Sequence, residues 1–373
     1  MKRWLSRVGF LPLTACSVFG HLEVEPIATS FARPSNVAAF VAVSDGESGL
    51  TELSPSSFRV YDNGQLVPSD QTDLTLLDPM LVAQAHTVLL VDMSTATTPE
   101  TRARIAKATQ GFVEKVTRRE AVSVFAFDGA AQLTAIATFP RGDQKVSLAA
   151  LESFTSRDAS RNLNGAVVAG VAKLTQALAQ GGKLIRLGTL VVYSSGPDVA
   201  GRTSSDDAHD VVWNSPYDVV GVGVAERADA VENLARSALI RAQADSTLPI
   251  AFEEAADKTI EQLEKHYLVS FCSPARAGNR QLRLEVTYTN KDGDERHGNF
   301  ETEFSANGFG PGCNPLVTPR LTLVPKSAPE KKPEAATSKR KGDDEAAKAP
   351  DSREHDQGDD APVAPPDQSG YAK

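Results

Sequence analysis

The chain has 373 residues, 41% hydrophobic and 23% charged, with a formal net charge of −9. That is ordinary globular composition, long enough for about two domains plus flexible segments. The acidic balance argues against nucleic acid as a partner, since phosphate recognition needs clustered Lys and Arg. No stretch reaches the roughly 20 apolar residues that cross a bilayer.

The N-terminus reads as an address. Lys2, Arg3 and Arg7 precede the apolar run Val8 to Leu13, and the small residues Thr14 and Ala15 lead into Cys16. A basic region, an apolar region and a small-residue site together predict a secretory signal over residues 1–15. Leu13-Thr14-Ala15-Cys16 resembles the bacterial lipobox, which implies that Cys16 carries a diacylglyceryl group and becomes the first mature residue. At about 0.8 kcal/mol per buried methylene, several acyl chains hold a protein on a membrane. Ser17, standing where inner-membrane lipoproteins carry Asp, implies the outer membrane. A plain cleaved signal with an incidental Cys is the alternative. With Cys16 assigned to lipid, Cys272 and Cys313 are an even remainder in an exported chain, which invites a disulfide. Closing a loop of about 40 residues contributes on the order of 4 kcal/mol. Two separate buried thiols are the other reading.

Residues 16–35 are expected to be a linker and 36–83 an N-terminal β segment. In the latter, Val37 to Val43 and Phe58 to Tyr61 read as strands, and Asn63-Gly64 supplies turn chemistry. From 84 to 272 the pattern is that of an α/β domain. His86 to Val91 is a continuous apolar run, as in a strand buried on both faces. Thr97-Thr98-Pro99-Glu100 signals a helix start, and Ile105, Ala108, Phe112 and Val116 continue it at helical spacing. Val122 to Phe127 and Leu133 to Phe139 are strands, while Val167, Val171, Leu174 and Leu178 mark one helix face. Leu190 to Tyr193 and Tyr217 to Val224 are strands. Val231 to Leu263 reads as largely helical with a break near Pro249, and Tyr267 to Phe271 as the last strand. This alternation predicts a doubly wound, mostly parallel, Rossmann-like sheet.

Over 273–315 the period becomes 2. Leu282, Leu284, Val286 and Tyr288 alternate with polar residues, Asp292-Gly293 supplies a turn, and Phe300 and Phe304 return. One hairpin alone is marginal, so the strands at the two ends are expected to form one small accessory β-domain around the α/β insertion. Residues 316–373 are read as a charged, Pro-rich, disordered tail, since Pro325 to Lys373 contains no Leu, Ile or Phe and cannot offset its ordering entropy.

The first buried strand ends in Asp92-Met93-Ser94-Thr95-Ala96. A strand, Asp-x-Ser-x-small and a capped helix resemble the opening motif of von Willebrand factor type A domains, over about residues 84–272. The layout is also similar to von Willebrand-type lipoproteins of Gram-negative bacteria, through Leu50 to Ser54, Phe58 to Gly64, Cys272 to Gly278 and Gly308 to Cys313. The resemblance implies a ligand-binding edge at the C-terminal ends of the strands, where the family holds Mg²⁺ with a carboxylate and hydroxyls. Here the set departs from the family pattern. Asp92 and Ser94 match, Ala96 replaces a Ser, Arg161 stands for the family Thr, and Ser195 for the distant Asp. A shift of register would offer Ser160 or Asp198 instead. One carboxylate where two are usual predicts no cofactor or only weakly bound Mg²⁺, with the Arg161 guanidinium able to neutralise Asp92 in its place. Alternatively, Asp92 and Ser94 only cap the following helix.

The expected binding edge is therefore Asp92, Ser94, Arg161 and Ser195, with no catalytic residues. No His-Glu-x-x-His or Gly-x-Ser-x-Gly is present, Gly181-Gly182-Lys183 reads as a helix end, and Asn290 to Asp294 as a hairpin turn. The expected function is that of an outer-membrane lipoprotein that binds a protein or envelope component. The alternative is a structural or assembly factor of the envelope with no ligand at this edge. A hydrolase built on Ser194 or Ser195 is the enzymatic reading that these expectations set aside.

Overall fold

The computed structural model describes residues 21–96, 98–142 and 145–325. The expected signal peptide, Cys16, the start of the linker and the tail beyond 325 lie outside the described residues. The described residues belong to one unit that ends at Pro325.

Two long strands come first, β1 (Glu23–Ala32) and β2 (Asn36–Asp45). The short β3 (Ser48–Gly49), β4 (Phe58–Asp62) and β5 (Gln65–Leu66) follow. Asn63 and Gly64 both take positive φ in the turn between β4 and β5, as a tight hairpin requires. One helical turn, α1 (Ser69–Thr72), and β6 (Thr75–Leu77) lead to the α/β region. That region runs β7 (Ala83–Asp92), α2 (Pro99–Val116), β8 (Ala121–Phe127), β9 (Thr134–Phe139), α3 (Ala149–Glu152), α4 (Leu163–Gln180) and β10 (Ile185–Tyr193). It continues with α5 (Ser205–Asn214), β11 (Asp218–Val224), α6 (Asp229–Glu232), β12 (Ala238–Ala242) and α7 (Leu248–Glu264). The chain then adds β13 (His266–Cys272), β14 (Asn279–Thr289), β15 (Glu295–Ser305) and β16 (Thr322–Leu323).

The α/β sheet has six strands in the order β12-β11-β10-β7-β8-β9. All neighbours are parallel except β8 and β9. This is a doubly wound sheet with its first strand at the centre. The apolar run of β7 is explained by its two faces. Leu89 and Val91 join Phe112 of α2 and Phe252 of α7 in one core. Val88 and Leu90 join Leu174 and Leu178 of α4 in the other. Each such side chain contributes about 1.5–3 kcal/mol by leaving water.

The remaining strands form two further sheets, with the paths β16-β1-β2-β13-β6 and β15-β14-β4-β5. They face each other across a core that includes Val37, Val41, Phe58, Val60, Leu284, Val286 and Phe304. The pairing of β4 with β14 joins the two ends of the chain, and Arg280 reinforces it by gripping Asp62 at 2.7 and 2.8 Å. The disulfide Cys272–Cys313 fastens the end of β13 to the segment after β15.

Four expectations are corrected. The linker over 16–35 contains β1, whose apolar alternation is broken by Pro26. Its register with β2 shifts between Pro26 and Ala28, as befits a residue that cannot donate to a ladder. The stretch Val231 to Leu263 is not one broken helix. It contains the edge strand β12, and Pro249 sits in the first turn of α7, where its missing N–H costs nothing. Tyr267 to Phe271 does not close the α/β sheet; β13 runs antiparallel to β2 and β6 in the accessory sheet. Finally, the segment read as tail is ordered at its start, because Thr322 and Leu323 pair with Thr29 and Ala28.

Candidate binding edge at the C-terminal ends of the strands

β7 and β10 are neighbours, with Tyr193 opposite Val91. After β7 the chain goes to β8 on one side; β10 lies on the other. The loops leaving the two strands therefore diverge, and a crevice opens at their C-terminal ends. Asp92 is the last residue of β7, and Ser194 and Ser195 follow β10 directly. Helix α2 starts with Thr98, which accepts from the Thr101 N–H, and Pro99, so Asp92 and Ser94 are free of the capping role.

The Asp92 carboxylate is the hub of this crevice. Its Oδ1 accepts from the Ser94 N–H at 2.9 Å and the Ser94 hydroxyl at 2.7 Å. Its Oδ2 accepts from Arg161 Nε at 2.6 Å, the Ser195 N–H at 2.8 Å and the Ser195 hydroxyl at 2.7 Å. The Ser194 hydroxyl lies 3.3 Å from the same oxygen. A carboxylate has about four lone-pair sites, and these donors fill them. Arg161 is equally engaged: Nη1 donates to the Pro197 carbonyl at 2.8 Å, and Nη2 to the Ser195 hydroxyl oxygen at 2.8 Å. Thr95 Oγ1 stands 3.1 Å from that same hydroxyl. A Cβ on Gly196 would lie 2.9 Å from Arg161 Nη1, so a larger residue there would push the guanidinium aside.

The four residues expected at the edge, Asp92, Ser94, Arg161 and Ser195, are thus brought together. They form the floor of the edge and not its surface, for the side chains of Asp92 and Arg161 are 0% and 9% exposed. Ser160 and Asp198, the alternatives by register, are directed elsewhere. The Ser160 hydroxyl donates to Asp158 at 2.7 Å, and Asp198 accepts from the backbone of Asn164 at the start of α4. Three participants were not expected in the edge, Ser194, Thr95 and the Pro197 carbonyl. Only the position of Ser194 directly after a buried strand hinted at it. A second buried carboxylate, Asp128, pins the neighbouring loop by accepting from the N–H groups of Ala130 at 2.8 Å and Arg157 at 2.7 Å.

A divalent cation does not fit this arrangement. Both Asp92 oxygens are saturated, Ala96 offers no side-chain ligand, and a guanidinium stands 2.6 Å from the carboxylate. Among the described residues, no group of three or more His, Cys, Asp and Glu side chains has metal-binding spacing. Burial, with the charge of Asp92 behind it, pushes the Tyr193 phenol up. Beyond the crevice, burial pushes Glu120 up to about 8; its carboxyl accepts from the Thr87 hydroxyl at 2.8 Å.

No protein-family model matches the chain, and no curated protein matches it. Among solved structures, one similar chain is proximal thread matrix protein 1 from the mussel byssus. It matches with a TM-score of 0.38 and 14% identity over 47% of this chain and 48% of its own, so the match spans about half of that protein. A von Willebrand factor type A protein from Catenulispora acidiphila has a TM-score of 0.40 and 9% identity over 78% of this chain and 74% of its own. The manganese-loaded TRAP protein of Plasmodium vivax has a TM-score of 0.32 and 10% identity over 66% and 98%. Likeness at this level carries nothing about ligands; the α/β fold class of this chain stands on its own strand order and register.

Proposed function

We propose that this chain is a non-enzymatic outer-membrane lipoprotein whose α/β domain binds a protein or envelope component through the loops at the C-terminal edge of its sheet. The address rests on the basic and apolar N-terminal pattern ending in Leu13-Thr14-Ala15-Cys16. The Cys272–Cys313 disulfide suits an oxidising compartment. The resemblance to von Willebrand factor type A domains, whose members bind partners at this edge, supports the same reading.

The observation that carries the binding role is the Asp92 hub. It ties the segments after β7 and β10 and before α4 into one hydrogen-bonded floor. Thr95, Pro197 and Val199 remain exposed above it, and Val199 is 67% exposed. A rim held on a rigid floor loses little freedom when a partner docks, which favours affinity. Contact is made by this rim, while Asp92 and Arg161 shape it from below.

Pull-down from envelope extracts tests the reading. Val199→Asp should abolish capture of a partner without lowering the melting temperature. Undiminished capture by Val199→Asp would point instead to an assembly role centred on the two accessory sheets. Ester hydrolysis lost in Ser195→Ala would restore the enzymatic alternative. Cys16→Ser should move the protein from the membrane fraction to the soluble periplasm.

A further inference from the structure

Asp92, Ser94, Ser194 and Ser195 place a carboxylate and three hydroxyls within one buried crevice. Such hard oxygen donors suit a small divalent ion. The positive group actually standing among them is a side chain of the protein. We infer that Arg161 is a tethered, permanent cation in this crevice, occupying the place of a dissociable divalent ion, so that the loop arrangement at this edge is independent of divalent-ion supply.

Three features carry this inference. First, each guanidinium nitrogen has its own acceptor: Nε the Asp92 carboxylate, Nη1 the Pro197 carbonyl and Nη2 the Ser195 hydroxyl. A planar fork satisfied in three directions is a fixed ligand set, much as a bound ion would impose. Second, departure of the guanidinium would strand a fully buried carboxylate, an arrangement strongly disfavoured in a low-dielectric site. An incoming divalent ion would therefore have to displace a positive charge that does not leave, or sit beside it against like-charge repulsion. Third, the surroundings are shaped to the guanidinium. Gly196 leaves the space a Cβ would take 2.9 Å from Nη1. The Arg161 carbonyl also accepts from the N–H groups of Val199 and Ala200, at 2.8 and 2.9 Å, so both its backbone and its side chain anchor the loop after β10.

The test uses the purified full chain. Its melting temperature should be unchanged by millimolar MgCl2, MnCl2 or EDTA, and calorimetric titration with MnCl2 should show no binding heat. Arg161→Thr removes the internal cation and supplies a hydroxyl. It should melt several degrees lower, and MgCl2 or MnCl2 should restore stability in a saturable way that Asp92→Asn/Arg161→Thr does not show. Arg161→Lys keeps a tethered charge and should fold and stay insensitive to both ions, which keeps the inference testable if Arg161→Thr does not fold. Saturable Mn²⁺ binding to the unaltered chain that Asp92→Asn abolishes would overturn it. So would a folded Arg161→Thr with unchanged melting temperature or no response to either ion, or an Arg161→Lys that responds to them.

Discussion

Arg161 and Asp92, 69 residues apart in the chain, meet at 2.6 Å between the end of β7 and the start of α4. This buried ion pair connects the central strand of the doubly wound sheet to the loops on the far side of its switch point. It explains how a carboxylate without access to solvent is accommodated at the C-terminal edge of the sheet.

Breaking one partner should be costly. Arg161→Met leaves Asp92 buried and unpaired and should lower stability by about 3–5 kcal/mol in urea denaturation, the range for one-sided loss of a buried pair. Asp92→Asn/Arg161→Met removes both charges and should cost clearly less than Arg161→Met alone. A double variant as unstable as the single one would mean that the two residues are not energetically coupled.

Stability should depend on pH through Glu120 and the buried histidines. Burial raises Glu120 from 4.5 to about 8, so between these values the folded chain holds a proton that the unfolded chain has lost. Stability from this group therefore falls as pH rises, by about 1.4 kcal/mol per pH unit. Burial lowers His266 from 6.5 to about 4 and also lowers His86. Those groups bind fewer protons when folded, so their contribution is present above pH 6.5 and lost below it. Below pH 6.5 the two histidines oppose the single Glu120 slope, so the Glu120 decline stands clear from about pH 6.5 to 8. Glu120→Gln should flatten that decline in denaturation curves taken across this range; an unchanged slope would assign it to another group.

Reduction of Cys272–Cys313 releases a loop with a sequence separation of 41. Opening it should cost about 4 kcal/mol in the chain-entropy account. Thermal melts with and without reductant, repeated on Cys272→Ala/Cys313→Ala, measure this. Equal melting temperatures would show that the pairing of β1 with β16 and β14 with β4 already holds the ends.

The accessory sheets should fail together with their shared core. Leu284 of β14 is fully buried between them, and Leu284→Ala should cost about 2–5 kcal/mol. Hydrogen exchange should then quicken in β2 and β4 as well as in β14. Acceleration confined to β14 and β15 would mean that the hairpin opens on its own.

The sequence by itself determined the strands β7, β8, β9, β10 and β11 and the helices α2 and α4, because buried parallel strands and long amphipathic helices leave strong local patterns; the short α3 and α5 were not read from it. It also marked Asp92 and Ser94 by their place after a continuous apolar strand, and it singled out Cys272 and Cys313 as the pair for a disulfide. Tertiary structure decided the rest. β1, interrupted by Pro26, and β12, a five-residue edge strand, carry too little periodicity to be read without their partners. β13 has the same apolar run as a strand of the α/β sheet, and only hydrogen bonding to β2 assigns it to the accessory one. That Arg161 reaches Asp92, when Ser160 and Asp198 were open alternatives, depends on how the loop before α4 folds back over the switch point. Such a meeting is a matter of three-dimensional register, which residue spacing along a chain does not encode.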